Sequence, residues 1–283
     1  MKNSYILGAA CTVLFALGNS AAYAAPTYSV LVESDPGGLG NLNYGEFASL
    51  TDVKNWNVSS SHFIGQNLFG SGVSVGGYTF DGSKYHVLVE SDPGGLGNLN
   101  LGTFDTLADL KNWNVSSSHF IGQNLFGSGV SVGGFAYDGS KYHVLVESDP
   151  GGLGNLNLGI FDTLTDVKNW NVSSSHFIGQ NLFGSGVSLR GFEFDGSKYH
   201  VLVESDPGGL GNLNLGTFDT LADLKNWNVS SSHFIGQNLF GSGVSLGGFT
   251  VVSSVSVPEP ATVWLFSTAL IGLIGFSKRR KVA

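Results

Sequence analysis

Four times in this chain, carboxylates and amides gather round three glycines. The first copy reads ESDPGGLGNLN and carries Glu33, Asp35, Asn41 and Asn43; it returns letter for letter from residues 90, 147 and 204. Oxygen ligands of this kind suit Ca²⁺. The candidate contacts are Asp35, Asn41 and Asn43, and in the second copy Asp92, Asn98 and Asn100. Calcium asks for about 6 to 8 oxygens, a demanding requirement for one loop. A phosphate cradle fits less well, because no lysine follows the glycines and no strong helix opens there. The same residues also make a structural turn. Pro36 and Gly37-Gly38 reverse the chain, Gly40 permits unusual φ, and the Asn side chains satisfy loop backbone groups. The structural turn is the preferred reading, with no cofactor and no metal; Ca²⁺ is the alternative.

The stretch GGLGNLNLG also resembles the calcium nonapeptide of RTX proteins. The aspartate position of that motif is held here by Leu42, Leu99, Leu156 or Leu213, and the repeat is far longer than a nonapeptide. Successive turns therefore share no ion, and a β-roll is rejected. His62, His119, His176 and His233 recur at matching places. Facing a common axis, four imidazoles would bind a metal; on a partly exposed strand edge they are structural, which is preferred. Ser61 and His62 are adjacent, but strand neighbours point to opposite faces, so a Ser–His hydrolase is disfavoured. His86 has Ser29 in its place in the first copy, which rules out an obligatory site built from four such histidines. Trp56, Trp113, Trp170 and Trp227 suit stacking on sugars. The helical spacing of Trp113 with Leu107 and Leu110 favours a core anchor instead.

These groups need elements to position them, and internal repetition supplies the plan. Glu33, Glu90, Glu147 and Glu204 stand 57 residues apart, as do the tryptophans and the SSSHF histidines. The units run 28–84, 85–141, 142–198 and 199–255. In the second, VGGYTFDGSKYHVLVES predicts two strands joined at Asp81-Gly82. LNLGTF predicts a third strand over 99–104. DTLADLKNW predicts a short helix over 105–113, with Thr106 and Asp109 as a capping pair. HFIGQNLF predicts a fourth strand over 119–126. The glycine loop then joins the second and third strands. Four such units suggest an all-β, propeller-like ring; an open β-repeat array is the alternative. The first unit starts at its second strand, and GGFTVVSSV at 247–255 supplies the missing strand at the far end, so closure removes exposed sheet edges. In that ring Glu33, Asp35 and their copies form an acidic rim.

The two ends read as addresses. Residues 1–24 are a signal peptide: Lys2, an apolar run over 5–17, and Ala22 and Ala24 at the positions signal peptidase needs. The tail has Val257-Pro258-Glu259-Pro260, an uncharged apolar segment over 261–276 that is a little short for the hydrocarbon core but spans it as a transmembrane helix with bilayer thinning or the help of flanking residues, and Lys278-Arg279-Arg280-Lys281, which stay cytoplasmic. This tail, 257–283, resembles the PEP-CTERM sorting signal of Gram-negative bacteria. The resemblance implies an exosortase as partner and delivery to the cell surface or the extracellular polymer matrix. It also disfavours reading Asn57-Val58-Ser59 as a glycosylation acceptor.

Between the ends, residues 25–255 hold 8 Lys and Arg against 20 Asp and Glu, a net charge of −12. That excludes nucleic acid and anionic lipid as partners of the body. It contains no cysteine, because the single Cys11 lies in the leader, so no disulfide holds it. No catalytic constellation emerges. The reading is an exported surface or matrix repeat protein with a structural or binding role, not an enzyme, with exopolysaccharide among its expected partners. A carbohydrate- or ion-binding propeller is the alternative.

Overall fold

The computed structural model describes residues 26–252 apart from 35, 37, 39, 92, 94, 96, 153 and 206–210. The leader with Ala22 and Ala24, the tail with Val257 to Pro260 and Lys278 to Lys281, and Asp35 and Asp92 lie outside the described residues. Among the described residues no helix is long and apolar enough to cross a membrane.

The chain first forms β1 (Thr27–Ser34), β2 (Asn41–Phe47), α1 (Leu50–Lys54) and β3 (Ser60–Gly65). A fuller pattern follows: β4 (Val73–Phe80), β5 (Tyr85–Ser91), β6 (Asn98–Phe104), α2 (Leu107–Lys111) and β7 (Ser117–Gly122). It repeats as β8 (Val130–Tyr137), β9 (Tyr142–Ser148), β10 (Asn155–Phe161), α3 (Leu164–Lys168) and β11 (Ser174–Gly179). It repeats again as β12 (Val187–Phe194), β13 (Tyr199–Ser205), β14 (Asn212–Phe218), α4 (Leu221–Lys225) and β15 (Ser231–Gly236), and β16 (Val244–Val252) comes last. These strands make four antiparallel sheets, β4-β5-β6-β7, β8-β9-β10-β11, β12-β13-β14-β15 and β16-β1-β2-β3. The fourth sheet joins the two ends of the described chain, with Thr27 opposite Val252 and Ser34 opposite Val244. Strands β4, β8, β12 and β16 pack each against the next. The fold is a four-bladed β-propeller, closed as the repeat pattern led us to expect.

Local chemistry explains the elements. Thr106, in extended conformation, accepts the Asp109 N–H at 3.1 Å and donates its hydroxyl to the Asp109 carboxylate at 2.6 Å. This cap starts α2 at Leu107, two residues later than the sequence pattern suggested. Trp113 ends it by turning left-handed, with φ 52°. The outer strand is also shorter than expected. β7 stops at Gly122, because Asn124 adopts φ 56° and its N–H is held by Asn98 Oδ1 at 3.1 Å.

Each core lies between two blades. Leu31, Leu42 and Tyr44 of the closing blade pack on Tyr78, Val87, Phe104 and Leu110 of the next. Burying an aromatic or aliphatic side chain of this size contributes roughly 1.5–3 kcal/mol. At the axis each inner strand carries a glycine, Gly77, Gly134, Gly191 or Gly248, because there is no room for a side chain. A Cβ on Gly77, whose φ is 156°, would lie 2.7 Å from the Phe135 nitrogen of the neighbouring strand. Every inner strand has a register shift here; Gly76, Gly133, Arg190 and Gly247 sit at the shift. Three are glycine and one is arginine.

Candidate functional site

The glycine loops connect the second and third strands of each blade, and the carboxylate that introduces each loop is buried. Glu33, Glu90, Glu147 and Glu204 are 0–1% exposed. The expected acidic rim is therefore corrected for the glutamates. Each sits on a strand covered on both faces by neighbouring blades, so period-2 alternation does not bring it to water. Glu33 Oε2 accepts the Val75 N–H at 3.1 Å, Glu90 that of Val132 at 3.0 Å, Glu147 that of Leu189 at 2.9 Å and Glu204 that of Leu246 at 3.3 Å. Every one of these bonds reaches the inner strand of the following blade, so the four carboxylates staple the ring. Burial pushes the Glu147 carboxyl up to about 7, against the Leu189 N–H and Arg190, which pull it down. Arg190 Nε lies 3.4 Å from Glu204 Oε2. Around these groups is a cavity of about 240 Å³, lined also by Pro36, Pro93 and Pro150.

The opposite end of the inner strands carries a different set. In three blades the hairpin Asp and the following His are partners: Asp81–His86, Asp138–His143 and Asp195–His200, at 2.8, 2.7 and 2.8 Å. A carboxylate only accepts, so His Nε2 is the donor. The other Asp81 oxygen accepts from the Ser83 and Lys84 N–H groups, each at 2.8 Å. Burial alone would raise the Asp81 pKa, yet the bonds from His86, Lys84 and Ser83 hold it well below the usual carboxylate range; Asp138 and Asp195 behave alike. Tyr142 of the next blade adds its hydroxyl to Asp81 at 3.0 Å. His86 and His200 also meet Thr103 and Thr217 through Nδ1 at 3.2 Å, whereas Ile160 takes that place beside His143.

Glu193 lies among the inner strands at this end, fully buried. Its matching residues are Thr79, Ala136 and Thr250. The hydroxyls of Thr79 and Thr250 donate to Oε2 at 3.1 and 2.5 Å, and the Phe194 N–H donates to Oε1 at 2.9 Å. Burial raises its pKa well above the carboxylate range, and these donors only partly oppose that. One long residue, one Ala and two Thr donors share the space where the inner strands converge. A cavity of about 310 Å³ opens over this layer, lined by Phe80, Tyr137, Phe194 and the Asp-Gly turns.

The remaining candidates lie towards the periphery. His62 is on β3 and its Nε2 meets the Lys111 carbonyl at the end of the next blade's helix, at 3.0 Å. His119, His176 and His233 do the same, His233 reaching Lys54 and so crossing the join. The structure does not bring these imidazoles together. Trp56 sits between Phe47 and Phe240, with ring centroids 5.2 and 5.5 Å away. Trp113, Trp170 and Trp227 repeat the arrangement with Phe69 and Phe104, Phe126 and Phe161, and Phe183 and Phe218. Asn41 Oδ1 and Asn98 Oδ1 hold the Asn67 and Asn124 N–H groups at 3.0 and 3.1 Å. Asn43 and Asn100 are half-buried on β2 and β6. Among the described residues no group of three or more His, Cys, Asp or Glu could hold a metal ion.

Sequence reasoning missed the Asp–His pairs, Arg190 and Glu193. One signal was present for Arg190 and Glu193: each departs from an otherwise near-identical repeat.

The likeness to solved structures is distant. An α-L-arabinofuranosidase from Podospora anserina, solved with cellotriose, aligns with TM-score 0.37 at 14% identity, over 72% of this chain and 67% of the other. The tail fiber of a Staphylococcus aureus phage aligns with TM-score 0.32 at 10% identity, over 69% of this chain and 48% of the other. No curated protein matches the chain. Its end does match a family model: residues 256–281 are a PEP-CTERM protein-sorting motif, carried by a chain whose body is a four-bladed β-propeller.

Proposed function

We propose that this protein is a non-enzymatic scaffold exported to the cell surface or the extracellular polymer matrix, where an exosortase delivers it. The sorting motif at 256–281 carries the reading. The body supports it, because the buried glutamates and the Asp–His pairs are occupied in holding blades and turns together. Signal peptidase acts first, at Ala24. The apolar segment and Lys278 to Lys281 then hold the tail in the inner membrane while exosortase recognises Pro258-Glu259-Pro260. The test is the mass of the C-terminus in matched strains with and without the exosortase. We expect a truncated or transferred tail and surface fractionation only where the enzyme is present, and failure of both after Glu259→Ala. An intact tail and unchanged fractionation in both strains would overturn the reading.

A further inference from the structure

The loop-end cavity holds polar atoms that the fold itself does not use. Glu147 and Ser188 are 1% and 2% exposed and both line it. Among the described residues Glu147 Oε1 and Ser188 Oγ have no hydrogen-bond partner. Burying such atoms unpaired carries the full desolvation penalty of each group, which a bound molecule removes. Arg190 projects into the same cavity where Gly76, Gly133 and Gly247 stand in the other inner strands. It is the one lining residue that departs in kind from the repeat.

Charge narrows the ligand class. An anion meets Glu90, Glu147 and the carboxylate of Glu204. A metal ion finds no set of three acidic or imidazole ligands among the described residues, and the Arg190 guanidinium repels it, as it repels an ammonium group. A neutral molecule with adjacent hydroxyls satisfies every group. One hydroxyl donates to Glu147 Oε1, another accepts from Arg190, and Ser188 Oγ takes either role. The rings of Pro36, Pro93 and Pro150 offer apolar walls to C–H faces. At about 240 Å³ the space lies below the size of drug-like sites, so it admits one ring and not a length of chain.

We propose that this cavity binds the terminal neutral sugar residue of a glycan, entering end-on between the proline-bearing loops, with Glu147, Ser188 and Arg190 as its polar contacts. The inference concerns the ring alone and stands apart from how the protein is sorted.

The test is ligand-observed NMR with methyl glycosides of glucose, galactose, mannose and N-acetylglucosamine. It uses the full chain in a detergent without a sugar headgroup. Arg190→Gly installs the residue already present at three matching positions, so the fold tolerates it; Glu147→Gln removes charge at constant shape. At least one glycoside should bind the native chain and bind Arg190→Gly about tenfold more weakly, the loss expected for a charge-assisted hydrogen bond. Three results would overturn the proposal. They are binding of none of the glycosides, undiminished binding by Arg190→Gly, or a crystal soaked with the bound glycoside that shows only ordered water in the cavity.

Discussion

The closing blade and the three continuous blades solve the same packing problem with different residues. In the continuous blades a hairpin Asp and a buried His clasp each other across a tight turn. The closing blade has no such turn, because its inner strand ends at Val252 and its second strand begins at Thr27. Both partners have gone together: Val252 stands where the Asp would be, and Ser29 where the His would be. The vacated volume is filled from elsewhere. Tyr78 replaces the Phe found at 135, 192 and 249, and Tyr44 replaces the Leu found at 101, 158 and 215. The Ser29 hydroxyl is hydrogen-bonded to the Tyr78 hydroxyl, and all three side chains are buried. The histidine is therefore present where there is a turn to hold, although its ring also packs on the next blade, His86 on Tyr142 and His143 on Tyr199. Where there is no turn to hold, a small hydroxyl and two phenols close the space.

The most severe way to break the comparison is to remove β16, residues 244–252. The other blades keep every strand, but β1 loses its partner and Phe249 leaves its core. Cooperative unfolding in calorimetry or urea should be lost; a retained sharp transition would show that the blades are independent, as in a linear array. A gentler variant sharpens it. His86→Ser removes the buried donor of the Asp81 carboxylate and should cost about 1–3 kcal/mol. Adding Leu101→Tyr and Phe135→Tyr, which copies the closing blade, should recover part of that loss in urea melts. Equal stability of the single and triple variants would refute the compensation.

The smallest effect is that of pH. Asp81, Asp138 and Asp195 have depressed pKa values, so their contribution is present above the unfolded value of about 3.9 and is lost as pH falls below it. Glu147 works in the opposite sense. Its raised pKa makes its contribution complete below about 4.3 and lost as pH rises through about 7. Stability should peak in mildly acidic buffer, and thermal melts from pH 3 to 8 would show it. Deleting all three hairpin histidines should flatten the acid limb, where the closing blade has nothing to lose.

Much of the fold was legible because the repeat is nearly perfect. The 57-residue period, the displaced start and the spare final strand together point to a ring in preference to an open array. The capping pair Thr106–Asp109 was equally plain, since it acts within one turn of helix. The site was harder. Glu33 read as an exposed loop acid because a carboxylate beside Asp-Pro-Gly-Gly usually faces water. Only the neighbouring blade, with its Val75 N–H, makes a buried position tolerable. Asp81 and His86 are five residues apart, yet each matters only through a turn that brings them face to face. Arg190 and Glu193 were visible as departures, but their meaning depends on four strands meeting at one line, which no local pattern expresses.

That line of glycines has a consequence for the gene. Unequal exchange between near-identical repeats produces chains with three or five units. The spacing between Gly77 and the neighbouring Phe135 backbone leaves no slack. Five units would pull these surfaces apart and three would drive them together. The close-packed seam at Gly77, Gly134, Gly191 and Gly248 therefore fits a ring of four units, and the unlike residues at 79, 136, 193 and 250 tell the four places round it apart.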